Sequence, residues 1–463
     1  MMLRRFLAVL LLVPLCAAAG TVRHTLPNGL TLVVREDHRA PVVTVQLWYA
    51  VGSADEQPGK TGLSHALEHM MFKGTKSVPA GGYARRIAAL GGHNNAYTSS
   101  TETVYYVSAA GHNLTEILKL EADRMANLNF SDRDFANEMK VIREERRERI
   151  EDNPTGRLYS ELQEKAYAKP ANRTDVIGRM ADLHKLKAQD LRRWYRRWYA
   201  PNNAVLVVAG DVKADRVLAE TEKQFGRIPK RQLPARQDIA EPAPKAAQSV
   251  ITGPTKQPMF ALAYRVPHLQ KTDDTMPYAL DMLTNILDGH SAARFNKNLI
   301  RGKQIAMSAG SGYTLLSRQP QLFQIEAMPA AGVSTGSLKA AIEAEIADIA
   351  EHGVSEEELA QAKTTEEAAE VYGRDSLSTQ ARLIGTLETA GFGYEAEAEI
   401  RRRLKAVTPA HIREAARLLL QSPQVFVELR PQPEIAKAPA GRKPPAKAKR
   451  PVRRQPEKPE NTP

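Results

Sequence analysis

The order strand, helices, closing strand occurs twice along this chain, on either side of residues 229–247, a segment rich in Pro, Ala and charge. That repetition restricts the fold more than any other feature. A strand that closes a sheet after several helices must return to a partner laid down long before, so each half has to build its own mixed sheet. In the first half, residues 30–34 follow the turn Pro27-Asn28-Gly29, and residues 42–51 alternate apolar and polar side chains. Residues 101–109 are β-branched and aromatic, and residues 204–208 form a short apolar run ending at Gly210. All four stretches read as strands. Helical periodicity covers residues 114–128, 132–150 and 187–199. The second half repeats the pattern more faintly. Strands are predicted at 259–266, 321–328 and 425–429, and helices at 276–287, 337–351, 355–371 and 409–420. The expectation is an α+β protein of two related domains, residues 20–228 and 248–430, each an antiparallel-rich sheet packed by helices, joined by a linker at 229–247.

Of the 463 residues, 42% are apolar and 25% charged, which is globular composition, and no stretch after the leader is apolar for the ~18 residues a membrane span needs. Residues 1–19 read as a secretory signal. Arg4 and Arg5 precede an apolar run at 6–15, and Ala17-Ala18-Ala19 offers a cleavage site before Gly20. Acylation at Cys16 is the alternative, and Leu15 argues against it because that position in a lipoprotein signal is small. Cys16 is the single cysteine, so a cleaved chain has no disulfide, no cysteine nucleophile and no thiolate metal site. Such a chain suits a periplasmic or secreted location.

The net charge of +12 invites a nucleic-acid reading. The distribution removes it. Residues 431–463 carry nine Lys/Arg against three Glu, and Arg4 and Arg5 leave with the leader, so the body retains only +4. The tail also has nine prolines and almost no large apolar residue, the composition of a disordered segment. A solvated tail is the simpler reading; weak contact with an anionic membrane surface is the other.

The chemistry is concentrated in His65-Ala66-Leu67-Glu68-His69. Two histidines four apart on a helix project ~40° from one another, close enough to share an ion, with Glu68 on the same side. The order His-x-x-Glu-His inverts the His-Glu-x-x-His of many zinc hydrolases. Neutral imidazoles would hold Zn²⁺, and Glu68 would act as general base on a zinc-bound water. Leu63, Ala66, Leu67, Met70, Met71 and Phe72 supply an apolar face, and Gly74 is a plausible stop. The competing reading is two surface histidines on an amphipathic helix. A catalytic zinc also needs a third protein ligand. Within 132–150, Glu138, Val141, Ile142 and Glu145 share one stripe, while Glu144 points off it. Geometry alone leaves Glu138 and Glu145 open between a metal site and a salt-bridged helix surface.

These residues resemble the pitrilysin/insulinase/mitochondrial processing peptidase family of zinc peptidases, in its short two-domain bacterial branch. The stretch from Gly62 to Thr75 is similar to the family's metal-site segment. Asn95-Ala96-Tyr97-Thr98 with Thr103-Val104-Tyr105-Tyr106 resembles its active-site edge strand, and Tyr199-Ala200-Pro201-Asn202-Asn203-Ala204 its domain-closing segment. The likeness covers most of residues 25–215; over 248–430 it is one of pattern only. The resemblance implies one Zn²⁺ per chain held by His65, His69 and Glu145, Glu68 as base and Glu138 as the carboxylate that orients the site. It also implies that Asn95, Ala96 and Tyr97 bind a peptide substrate as an added strand. For Asn95, a turn after Gly91-Gly92 is the equal alternative.

One departure matters. Self-sufficient members carry an Arg and, seven residues on, a Tyr in a later domain. Residues 322–336 have neither, and Tyr313 and Arg318 stand in the wrong order. His290 reads as a loop residue. The implied assembly is therefore half of a clam-shell chamber, completed by a related subunit lacking zinc or by a second copy of this chain, with no nucleic acid. The function expected is a zinc endopeptidase acting on unfolded peptides or small proteins in the bacterial envelope. The alternatives are a non-catalytic binding or assembly subunit of the same fold, and a processing peptidase for one dedicated precursor.

Overall fold

The computed structural model describes residues 20–432, so the leader and the basic tail beyond Gln432 lie outside the described residues. Eleven strands form two sheets. The first contains β1 (Thr21–Thr25), β2 (Thr31–Glu36), β3 (Val42–Tyr49), β4 (His93–Thr98), β5 (Thr103–Ala110) and β6 (Ala204–Gly210), in the order β1-β2-β6-β3-β5-β4. The second contains β7 (Ala247–Gly253), β8 (Met259–Val266), β9 (Ala306–Gly312), β10 (Gln321–Pro329) and β11 (Gln424–Pro431), in the order β7-β11-β8-β10-β9. Leaving β1 aside, the two orders are the same when strands are counted within each half. The one parallel pair also falls in the same place, β2 with β6 and β7 with β11. Every other pairing is antiparallel. The fold is thus α+β, with two antiparallel-rich sheets of one topology.

Each sheet is covered on both faces. One face of the first packs against α1 (Leu63–Met70) and α3 (Leu114–Asn127), with the helix Ala188–Trp198, around Leu47, Tyr49, Leu67, Tyr105 and Leu191. Arg124 is buried in this core, ion-paired to Glu121 at 2.5 Å, with its guanidinium over the rings of Tyr83 and Tyr105. The short α2 (Gly82–Ala89) leads into β4, and α4 (Asp132–Arg146) follows α3. Ser131 starts α4 with a capping box: its Oγ accepts from Asp134 N at 3.1 Å, and the Asp134 carboxylate accepts from Ser131 N at 3.0 Å.

The remaining faces are covered reciprocally. Helix α5 (Pro154–Ala166) belongs to the first half, yet its Leu158 and Leu162 pack with Ala261, Leu322 and Val427 of the second sheet. The helix Leu377–Ala390 belongs to the second half, yet Ala381 and Ile384 pack with Val33, Trp48, Val104 and Val207 of the first. Gly385 makes that docking possible, since a Cβ there would fall 2.0 Å from the Trp48 ring.

Several boundaries differ from the expectation. The histidine-bearing helix ends at Met70, four residues before Gly74, which instead sits at φ +113° in the following turn. The helix expected over 132–150 stops at Arg146 and continues as a wider π-type turn, Arg147–Glu151. The polar β1 and the small-residue β9 were not foreseen, nor was the helix Leu377–Ala390.

Candidate active site

Helix α1 is held from its N-terminus by a carboxylate distant from the motif. Glu56, buried in the loop before the helix, accepts backbone hydrogen bonds from Gly62 N and Ser64 N, both at 2.7 Å. Burial pushes its carboxyl up to about 8, while those two N–H donors pull the other way. Gly62 has φ +86°, and a Cβ there would lie 2.4 Å from Ile177 O, so only glycine fits this entry to the helix.

Anchored in this way, α1 presents His65 and His69 toward α4. The two rings lie 4.7 Å apart between centroids. Glu145, from the last turn of α4, places Oε2 3.7 Å from His65 Nε2 and 3.4 Å from His69 Nε2. One donor atom from each of His65, His69 and Glu145 fits within 4.8 Å. Ligands at ~2.0–2.1 Å from a tetrahedral zinc sit ~3.3 Å from one another, so the three side chains match a zinc site with small adjustments. His69 Nδ1 is 3.0 Å from Glu138 Oε1, so when the ring gives up its second proton to a metal, Glu138 keeps the remaining one on Nδ1 and leaves Nε2 as the ligand. Glu138 in turn contacts Lys73.

The electrostatics follow this arrangement. Burial and the neighbouring His69 charge pull His65 down to about 4. Burial also acts to lower His69, but its hydrogen bonds to Glu138 and Glu145 more than offset that and push it up to about 9. His69 holds the Glu145 carboxyl below its ordinary range. For Glu138, burial opposes the charge, yet His69 and Lys73 keep the carboxyl low.

Glu68 stands beside the cluster, where Thr98 Oγ1 donates to its Oε2 at 2.5 Å. Burial raises its pKa, opposed by the Thr98 hydrogen bond and the His69 charge. A carboxylate whose pKa burial raises is a better general base than an exposed one.

The structure therefore brings together five of the eight sequence-derived site residues, His65, Glu68, His69, Glu138 and Glu145. Asn95, Ala96 and Tyr97 lie in β4, an edge strand paired only with β5 among the described residues. Asn95 is in strand, opposite Tyr106, and not in a turn. The Tyr97 ring is engaged on the far face, against Trp48 at 6.1 Å and under Arg382. Val141, placed on the inward stripe of α4, is 52% exposed because it sits at the stripe's margin, while Ile142 is fully buried. Tyr313 and Arg318 are occupied elsewhere: Tyr313 donates to Pro267 O, and Arg318 pairs with the buried Asp55 at 3.0 Å. His290 lies just beyond the helix Thr275–Asp288.

Four neighbours escaped the reading from sequence: Glu56, Thr98, Lys73 and Arg149. Lys73 and Arg149 carried a signal, each following a site residue by four on or just past a helix. Arg149 Nε is 3.1 Å from Glu145 Oε1, the oxygen that does not face the histidines.

Comparison with known proteins shows which peptidases the chain is similar to. Residues 31–177 match the family described as Insulinase (Peptidase family M16), and residues 185–366 match Peptidase M16 inactive domain. The Helicobacter pylori zinc protease PqqE is 29% identical over 365 residues, 78% of this chain and 81% of that protein. A probable mitochondrial-processing peptidase subunit beta of Arabidopsis thaliana is 29% identical over 283 residues, 61% of this chain and 52% of its own. The crystal structure of a protease from Helicobacter pylori superposes with TM-score 0.84 at 27% identity, covering 89% of this chain and 100% of the other.

Proposed function

The chain belongs to the insulinase (M16) peptidase family, and from that premise we propose that it is a zinc-dependent endopeptidase for unfolded peptides or small proteins in the bacterial envelope. The observation that carries the proposal is the convergence of His65, His69 and Glu145 within 4.8 Å, with Glu68 beside them. Zinc, when bound, polarises the scissile carbonyl and acidifies water at the site. The chain's own groups do the rest. Glu68 takes the proton of the attacking water at a carboxylate oxygen and returns it to the leaving amine. Glu138 holds His69 in the tautomer that leaves Nε2 unprotonated. Edge strand β4 receives the substrate backbone as an added strand, which needs little side-chain specificity.

In this reading residues 20–228 form the peptidase domain and 248–430 its metal-free relative. The decisive variant is Glu68→Gln. It retains one zinc per chain, measured by elemental analysis, and loses cleavage of a peptide mixture by ~10²–10⁴-fold. Cleavage at the wild-type rate would refute the assignment. Tyr313 and Arg318 are both engaged by other partners, Pro267 O and Asp55, which favours a dimer in which a related zinc-free subunit or a second copy completes the chamber. Co-purification and light scattering test that part, and a fully active monomer would overturn it. Mass analysis of the secreted chain, expected to begin at Gly20, tests the leader and its periplasmic destination.

A further inference from the structure

Glu145 reaches His65 and His69 from the last turn of α4, just before the regular helix gives way to the π-type turn Arg147–Glu151. Met139 and Ile142 hold the middle of α4 in the core. Its end needs a hold of its own, because protein ligands ~2.0–2.1 Å from a zinc tolerate little displacement.

The residue after Glu145 supplies that hold. Arg146 is buried although charged. Its Nε donates to Glu151 Oε1 at 3.2 Å, which ties the π-type turn back to the helix. That turn carries Arg149, whose Nε is 3.1 Å from Glu145 Oε1. On the other side, Arg146 Nη1 lies 3.0 and 3.1 Å from the two carboxylate oxygens of Asp175 and also reaches Gly178 O. Asp175 and Gly178 form one turn, with Gly178 N donating to Asp175 O at 3.0 Å. This turn lies against the residues that start α1: a Cβ on Gly178 would fall 2.4 Å from Gly62 N. Next to it, Arg179 N donates to Thr61 Oγ1 at 2.8 Å, and Thr61 Oγ1 donates to Asp182 Oδ2 at 2.7 Å. One guanidinium thus joins the end of the helix bearing Glu145 to the start of the helix bearing both histidines.

Resting on the zinc reading above, we infer that Arg146 is a positioning residue: it sets the separation between Glu145 and the two histidines, and through it the affinity for the metal. It acts by geometry. Its charge is matched by Asp175 and Glu151, and its contacts run to those carboxylates and to Gly178 O, not to the three ligands. Lysine would keep the charge, but its single ammonium head cannot serve partners on both sides of a planar fork.

The test uses the full chain, stripped of metal and titrated with zinc against a chelator. Arg146→Lys should fold and bind zinc about 10–100-fold more weakly, the loss expected when a group that orients a ligand is removed. Its cobalt-substituted form should show weaker visible absorption than wild type, because the tetrahedral ligand set has opened. Two controls separate positioning from stability. Arg147→Ala removes the neighbouring arginine, which pairs with the exposed Glu144. Leu162→Ala lowers the melting temperature from a buried site against the second sheet. Both should bind zinc as wild type does. If Arg146→Lys has no cooperative melting transition, Asp175→Asn carries the same test from the other end of the bridge. Zinc affinity within twofold of wild type in the folded variant, or an equal loss in Leu162→Ala, overturns the inference and leaves the zinc site standing. A wild-type chain that binds no zinc overturns the zinc reading itself.

Discussion

Replacing Glu56 by alanine tests how the metal-bearing helix is held. The change removes the acceptor of two 2.7 Å hydrogen bonds and leaves Gly62 N–H and Ser64 N–H buried without partners. At ~1–3 kcal/mol for each such donor, the loss is roughly 2–6 kcal/mol. Against it stands the burial of a charge. The carboxyl is raised from 4.5 to about 8, and at about 1.4 kcal/mol per pH unit that amounts to roughly 5 kcal/mol. The sign follows from linkage. A carboxyl raised in the folded state contributes stability that is fully present below its unfolded pKa and is lost as pH climbs through the folded value. That contribution is therefore intact below 4.5 and gone above about 8. Glu56→Ala has no such dependence. The stability gap between wild type and variant should be widest near pH 5 and narrow by up to about 5 kcal/mol by about pH 8.5. Urea unfolding of metal-stripped protein, followed by tryptophan fluorescence, reads this directly, because Trp48, Trp194 and Trp198 all belong to the first half. A gap that stays constant across that range would refute the account of Glu56 as a buried, destabilised anion.

Three further outcomes are expected. Glu138→Gln should weaken zinc binding by ~10–100-fold, measured by chelator competition, because His69 loses the anion that fixes its tautomer; an unchanged affinity would remove Glu138 from the site. Zinc uptake at neutral pH should release close to one proton, from His69 raised to about 9, and none from His65 lowered to about 4, and affinity should rise about tenfold per pH unit up to about 9. Calorimetry in buffers of different ionisation enthalpy counts that proton. Gly385→Ala, a change that stabilises most helix interiors, should instead cost about 1–3 kcal/mol, because the new methyl meets the Trp48 ring; a raised melting temperature would contradict the docking described.

The candidate site was legible only in part: helical spacing marked the shared faces, and the family resemblance, not geometry, picked Glu145 as the third ligand. His65 to His69 is one helical turn, and Glu138, Ile142 and Glu145 mark one face of α4, so spacing alone brought them onto shared faces. The central strands were equally plain, β6 because a strand buried on both faces is apolar and β3 from its alternation. What escaped depends on tertiary placement. Strand β1 reads Thr-Val-Arg-His-Thr, mostly polar and half exposed, and it becomes a strand because β2 offers it a partner. Glu56 lies in an irregular loop, and nothing periodic marks it as the support of α1. The helix Leu377–Ala390 owes its position to Trp48, more than 300 residues earlier.

The reciprocal covering of the sheets also dictates an order of events during synthesis. When β6 has been made, the first sheet has all its strands, but the face bearing Val33, Trp48, Val104 and Val207 has no cover until the helix Leu377–Ala390 follows. At ~5–20 residues per second that wait lasts on the order of ten to forty seconds. During it a nascent chain carries an open apolar face, which a second nascent copy could cover with its own helix as readily as the first. Chaperone dependence, and exchange of that helix between copies when expression is fast, are built into the way the two halves are wound together.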